Sequence, residues 1–65
     1  MNIYNIHLIS KTFFKFTYDS IIIYCKFYRG KLEFVSSSKQ LSEEQIKELN
    51  DNKSYICKQL KFNSH

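Results

Sequence analysis

Residues 21–35, IIIYCKFYRGKLEFV, decide the fold. Two runs of alternating character meet at Arg29-Gly30, and Gly30 is the only glycine in the 65-residue chain. A two-residue hairpin loop needs positive φ, which glycine adopts at little cost. The register that follows sets Tyr28 opposite Lys31, Phe27 opposite Leu32, Lys26 opposite Glu33 and Cys25 opposite Phe34. One face of the hairpin is then apolar and the other bears a cross-strand ion pair. A slip of one residue would bring charges into the apolar face, so the pattern selects this pairing.

Toward the amino terminus the same alternation continues. Residues 2–9 place Tyr4, Ile6 and Leu8 on one side and Asn5 and His7 on the other, a strand pattern. A three-residue turn at Ser10-Lys11-Thr12 sets Leu8 against Phe14, Ile6 against Phe16 and Tyr4 against Tyr18. In residues 13–18, Phe14, Phe16 and Tyr18 then point inward, and Lys15 and Thr17 point outward. Asp19-Ser20 closes the next hairpin and pairs Tyr18 with Ile21 and Phe16 with Ile23. Because that turn lacks glycine, the alternative is one long bent strand over residues 13–28 with a bulge. Three registers chosen separately put the same side inward, which predicts a four-strand meander.

Toward the carboxy terminus, Ser36-Ser37-Ser38 ends the sheet and a helix begins. Ser42 is an N-cap with Gln45 three residues on, the spacing of a capping box. Leu41 and Ile46 hold the positions of a hydrophobic staple, and Glu43 and Glu44 complement the dipole of the first turn. Ile46 and Leu49 face one way, and Asn50-Asp51-Asn52 supplies stop chemistry. A helix of two turns must dock to persist. Residues 54–62 read two ways. Tyr55-Ile56-Cys57 is β-prone, which favours a fifth strand. Ile56 and Leu60 also share a helical face that continues Ile46 and Leu49 through Lys53. The last residues, 63–65, are expected to fray. The expected architecture is a single α+β domain over residues 1–65. It has a mostly antiparallel four- to five-stranded β-meander with one short α-helix packed on one face, in the order ββββαβ.

Composition bounds what such a domain can be. Aromatic residues make up 17% of the chain, enough for a core at a size where stability is marginal. Two cysteines make neither a disulfide framework nor a four-ligand metal site. No signal-peptide pattern opens the sequence, and residues 21–25, the longest apolar run, fall far short of the ~20 residues of a membrane span. A soluble protein of a reducing cytoplasm is expected. The net charge is +4, and all of it lies in residues 1–32, which hold Lys11, Lys15, Lys26, Arg29 and Lys31 against Asp19. That asymmetry suits an acidic partner.

Catalytic constellations are missing from the sequence. There is no phosphate-binding glycine loop, HExxH motif, paired CxxC or nucleophile elbow. Cys25 and Cys57 read as small hydrophobes and His7 as a surface histidine, so no enzyme, cofactor or metal is expected. A hydrolase or nuclease would have to work through His7. The outer sheet face is more informative. It gathers Ile3, Ile9, Phe13, Ile22, Tyr24, Tyr28 and Val35 among Lys15, Lys26, Lys31 and Glu33, too apolar a set for an open surface. Either the carboxy-terminal segment or a second copy of the chain covers it, or it binds a partner. The candidate partner-binding residues are Lys15, Tyr24, Lys26, Tyr28, Arg29 and Lys31, a composition enriched at protein interfaces. Nucleic acid is the alternative, with aromatics stacking on bases and lysines tracking phosphates.

The opening MNIYNIHLIS, the compact hairpin IIIYCKFYRGKLEF and the short acidic segment LSEEQIKELNDN together resemble small accessory proteins of phages and mobile elements, inhibitors of bacterial defence such as anti-CRISPR proteins. The resemblance is one of class, in size and in lysine, asparagine and isoleucine bias over the whole length. It implies a stoichiometric inhibitor that blocks a host defence-type protein or complex in the host cytoplasm. It transfers no functional residue.

Overall fold

Four strands follow one another in an antiparallel sheet, β1 (Tyr4–Leu8), β2 (Phe13–Tyr18), β3 (Ile21–Tyr28) and β4 (Lys31–Ser37), and two helices complete the chain, α1 (Glu43–Asp51) and α2 (Lys53–Asn63). The computed structural model describes residues 1–63, with side chains through Lys61. Asn63 closes α2; the expected fraying of Ser64 and His65 lies outside the described residues.

The β3–β4 hairpin has the register its sequence dictates, from Tyr28 opposite Lys31 to Cys25 opposite Phe34. Arg29 (φ 54°) and Gly30 (φ 77°) both take the left-handed backbone that matches the twist of the flanking strands. Asp19 (φ 49°) and Ser20 (φ 61°) build the same kind of turn without glycine, so a hairpin replaces the alternative of one long bent strand. Left-handed Ser20 costs about 1–2 kcal/mol. Contacts from α1 brace that turn, since Gln45 Nε2 donates to Asp19 Oδ2 at 3.4 Å and the Tyr18 hydroxyl donates to Glu48 Oε2 at 2.9 Å.

In β1 the structure corrects the expected faces. Leu8 does oppose Phe14, but Tyr4 opposes Thr17 rather than Tyr18, because the register shifts between Tyr4 and His7. Asn5 lies in that interval at φ 53°, a conformation asparagine tolerates better than most residues. The extra residue exchanges the sides of its amino-terminal neighbours. Ile3, expected outside, is 8% exposed in the core, while Tyr4, expected inside, is 45% exposed. A second irregularity, between Tyr24 and Cys25, sets Ser36 opposite Tyr24 and leaves Val35 as the additional residue of β4.

The helical region holds the larger correction. Residues 54–62 belong to α2, so the order is ββββαα with two helices and no fifth strand among the described residues. The capping box forms as expected, with Gln45 N–H donating to Ser42 Oγ at 3.2 Å and Ser42 N–H to Gln45 Oε1 at 2.9 Å. The stop also forms. Asn52 caps α1, its backbone N–H shared by the Glu48 and Leu49 carbonyls and its side-chain amide donating to Glu48 O at 2.7 Å. Yet the Asn52 carbonyl accepts from Ile56 N–H at 2.9 Å, so the residue that ends one helix starts the next. The result is a kink where a strand was expected.

Coverage of the sheet explains why α2 is a helix. The inner face presents Phe14, Phe16, Tyr18, Ile21, Ile23, Cys25 and Leu32, all buried. Alone, α1 covers little of it: Leu49 is 1% exposed, but Ile46, expected beside it, is 46% exposed. Ile56 and Leu60 of α2 finish the job in the same cluster, each fully buried and contributing about 1.5–3 kcal/mol.

Candidate protein-interaction surface

With both helices packed on the inner face, the outer face is left open. Its residues form rows across the strands. Tyr4, Thr17 and Ile22 make the first; His7, Lys15, Tyr24 and Ser36 the second; Phe13, Lys26 and Glu33 the third; and Tyr28 and Lys31 the fourth, beside the Arg29-Gly30 turn. The six predicted residues, Lys15, Tyr24, Lys26, Tyr28, Arg29 and Lys31, therefore share this face or its hairpin tip.

Aromatic and cationic groups interlock there. The rings of Phe13 and Tyr24 are tilted by 37° with centroids 6.3 Å apart. Tyr28, 51% exposed, has Lys26 Nζ at 5.7 Å and Arg29 Cζ at 5.4 Å from its ring centroid. Exposed cation–π contacts are worth about 0.5–1 kcal/mol each, enough to bias side-chain positions. Lys26 also reaches Glu33 across the hairpin at 3.9 Å, the expected ion pair. Both partners are nearly half exposed, so it adds little stability. Near the β1 bulge, Asn5, His7, Lys15, Thr17 and Ile22 surround a hollow of about 170 Å³ on this side.

Tyr4 joins this surface against expectation. Its signal was an asparagine in mid-strand, a residue depleted from strands and tolerant of positive φ. A larger hollow of about 430 Å³ lies elsewhere, between β4 and α1, lined by Phe34, Leu41, Ile46 and Leu49 with Glu33, Asn50 and Lys53 at its edges. It follows from the shallow docking of α1, which leaves Ile46 uncovered.

The titratable groups with displaced pKa values are on the inner side. Burial pushes the Cys25 thiol up to about 12, helped by neighbouring Cys57, which keeps it protonated and unreactive at neutral pH. Tyr18 is likewise pushed up to about 12, by burial first and then by its hydrogen bond to Glu48. Among the described residues no three His, Cys, Asp or Glu side chains gather where they could hold a metal ion, and no helix is long and apolar enough to cross a membrane.

Compared with known proteins, the chain matches no family model, no curated protein and no solved structure.

Proposed function

We propose that the protein acts by stoichiometric binding, covering an acidic part of a host defence-type protein or complex with its outer sheet face and so blocking it. One observation supports this reading above the rest. Phe13, Tyr24 and Tyr28 lie uncovered by either helix, within a fringe of Lys15, Lys26, Arg29 and Lys31. Tyrosine and arginine are the residues that most often dominate binding energy. The inhibitory mode is what the resemblance to anti-defence proteins implies.

An acidic partner is favoured over a second copy of the chain. Glu33 offsets only one of the four cations and already faces Lys26. Two such faces brought together would oppose like charges. The test is a double charge reversal, Lys26→Glu with Lys31→Glu, assayed against the acidic partner purified from the native host. Affinity should fall at least tenfold with the melting transition unchanged, and unaltered affinity would show the surface to be misplaced. Nucleic acid is the second reading, because the Phe13–Tyr24 pair offers a stacking platform between lysines. It requires affinity for single strands that drops steeply with added salt; a flat salt response eliminates it.

A further inference from the structure

We infer that the open edge of β4 receives an extended segment of a partner protein as an added antiparallel strand, with one large apolar side chain seated in the hollow beside α1. The site is an edge rather than the outer face, so it stands apart from the surface proposed above. β4 is the last strand of the sheet, and one of its two sides has no neighbouring strand. The ladder shows which backbone groups point that way. Phe27 N–H donates to the Thr12 carbonyl at 2.9 Å, toward β2 and so away from β4. Leu32, opposite Phe27, is therefore in a pair without mutual hydrogen bonds, and so is Phe34, opposite Cys25. The N–H and C=O groups of Leu32 and Phe34 point out of the edge, and no helix, turn or side chain among the described residues hydrogen-bonds to them. Such a row of unpaired groups is a template for another strand.

The hollow of about 430 Å³ lies along the same edge. Glu33 and Phe34 turn to opposite faces of β4, yet both border it, with Leu41, Ile46 and Leu49 on the helix side. A strand added at the usual ~4.8 Å spacing carries the side chain opposite Phe34 on the inner side, one strand beyond the Phe34 ring. The sheet has ended there and α1 stands off, and the hollow is the space between them. A leucine-sized side chain seated in it covers Ile46, which is 46% exposed. The opposite edge is blocked. β1 is broken at Asn5, where the register shifts and φ is 53°, an irregularity that obstructs edge pairing.

The side chains of β4 set the chemistry of the added strand. Counted from the residue opposite Phe34, its next three residues face Glu33, Leu32 and Lys31 in turn. Cross-strand pairing then favours the order apolar, basic, apolar, acidic. A second copy of β4 meets only part of this. Paired about Leu32, it matches Lys31 with Glu33 but sets Gly30 opposite Phe34 and leaves the hollow empty. Paired about Glu33, it brings Leu32 to the hollow but opposes two glutamates. Paired about Phe34, it runs across the irregularity at Val35. A foreign segment carries none of these conflicts.

The experiment titrates the whole protein with three synthetic peptides and follows calorimetric heat, methyl shifts and amide hydrogen exchange. The first is a ten-residue peptide with Leu-Lys-Val-Glu at its centre. The second is the same peptide N-methylated at that leucine and valine, which removes the two backbone donors facing β4. The third has alanine in place of the leucine. The expected result is binding of the first peptide, with slowed exchange at the Leu32 and Phe34 amides and shifted Ile46 and Leu49 methyls. N-methylation should weaken it at least tenfold, and the alanine peptide should bind several-fold more weakly. Ile46→Ser should weaken it several-fold with the melting transition unchanged. Equal affinity for the N-methylated peptide overturns strand addition, and equal affinity for the alanine peptide overturns the hollow as its socket. No binding at millimolar concentration, or shifts confined to Phe13, Tyr24 and Tyr28, overturns the edge site and leaves the outer-face reading to its own test. Protection of Leu32 and Phe34 that grows with protein concentration alone places a second copy at the edge and overturns the inference as well.

Discussion

The two faces of this sheet are cut from the same four strands, yet only one is finished by the chain itself. The inner face presents Phe14, Phe16, Ile23 and Cys25, and Leu49, Ile56 and Leu60 close over it until none is appreciably exposed. The outer face holds the rings of Phe13, Tyr24 and Tyr28, with Lys26 opposite Phe13, Lys15 opposite Tyr24, and Lys26 and Arg29 at Tyr28, and neither α1 nor α2 lies there. The difference lies in charge placement. An apolar face without charges is buried by whatever apolar stripe the chain can supply, whereas one lysine on each of β2, β3 and β4 makes self-coverage of the outer face costly and coverage by acidic groups favourable. The sheet is therefore covered on one side and open on the other.

The strongest way to break that comparison is to truncate one large residue on each face. Phe16→Ala should cost about 3–5 kcal/mol, enough to unfold most of so small a domain, whereas Tyr24→Ala should cost no more than about 1 kcal/mol. Urea denaturation followed by circular dichroism measures both, and equal losses would mean that the outer face belongs to the core. A smaller effect sharpens the inner side. Below pH 10 the Tyr18 hydroxyl keeps its proton in both folded and unfolded chains. Between pH 10 and about 12 only the folded chain keeps it, so stability falls as pH rises through that window. Cys25, raised from its ordinary 9.0, adds a loss in the same direction beginning near pH 9. Denaturation at stepped pH should therefore show a shallower alkaline decline in Tyr18→Phe, with the Cys25 share remaining; identical slopes would detach Tyr18 from it.

The smallest effects concern the turns that keep the two faces from exchanging. Gly30→Ala should destabilise by about 1 kcal/mol through conformation alone, because no atom lies within 4 Å of the added methyl group. Ser20→Gly should stabilise by a few tenths to about 1 kcal/mol by relieving its left-handed backbone. Thermal melts of the two variants should move in opposite directions, and a loss in Ser20→Gly would show that the serine side chain holds the turn.

Most of the sheet was legible because its signals are local. Alternation fixed which side of β2, β3 and β4 turns inward, and Gly30 fixed the last turn. The Asp19-Ser20 hairpin was readable from Tyr18 against Ile21 even without glycine. The outer-face residues Lys15, Tyr24, Lys26, Tyr28, Arg29 and Lys31 came with the register, since each inward residue implies its outward neighbour. The β1 bulge was only faintly marked: period-two patterning has no term for an inserted residue, and its one signal, the mid-strand Asn5, also fits an ordinary polar outward position. Ile46 was misplaced for a related reason. Helical spacing assigns it a face, but only the angle at which α1 meets the sheet decides whether that face reaches the core.

By itself the sequence determined the three hairpin registers near their turns, the start of α1 at its Ser42–Gln45 box and the basic character of one sheet surface. Each depends on neighbours a few residues apart, where sterics and hydrogen-bonding chemistry act directly. The tertiary structure alone decided that residues 53–63 are helical and that they lie on the same side as α1. Ile56 and Leu60 fit either a strand or a helix in isolation. The uncovered inner face, four strands wide and out of reach of Leu49 alone, made the helix the form that buries more apolar surface, and that choice left the outer face open.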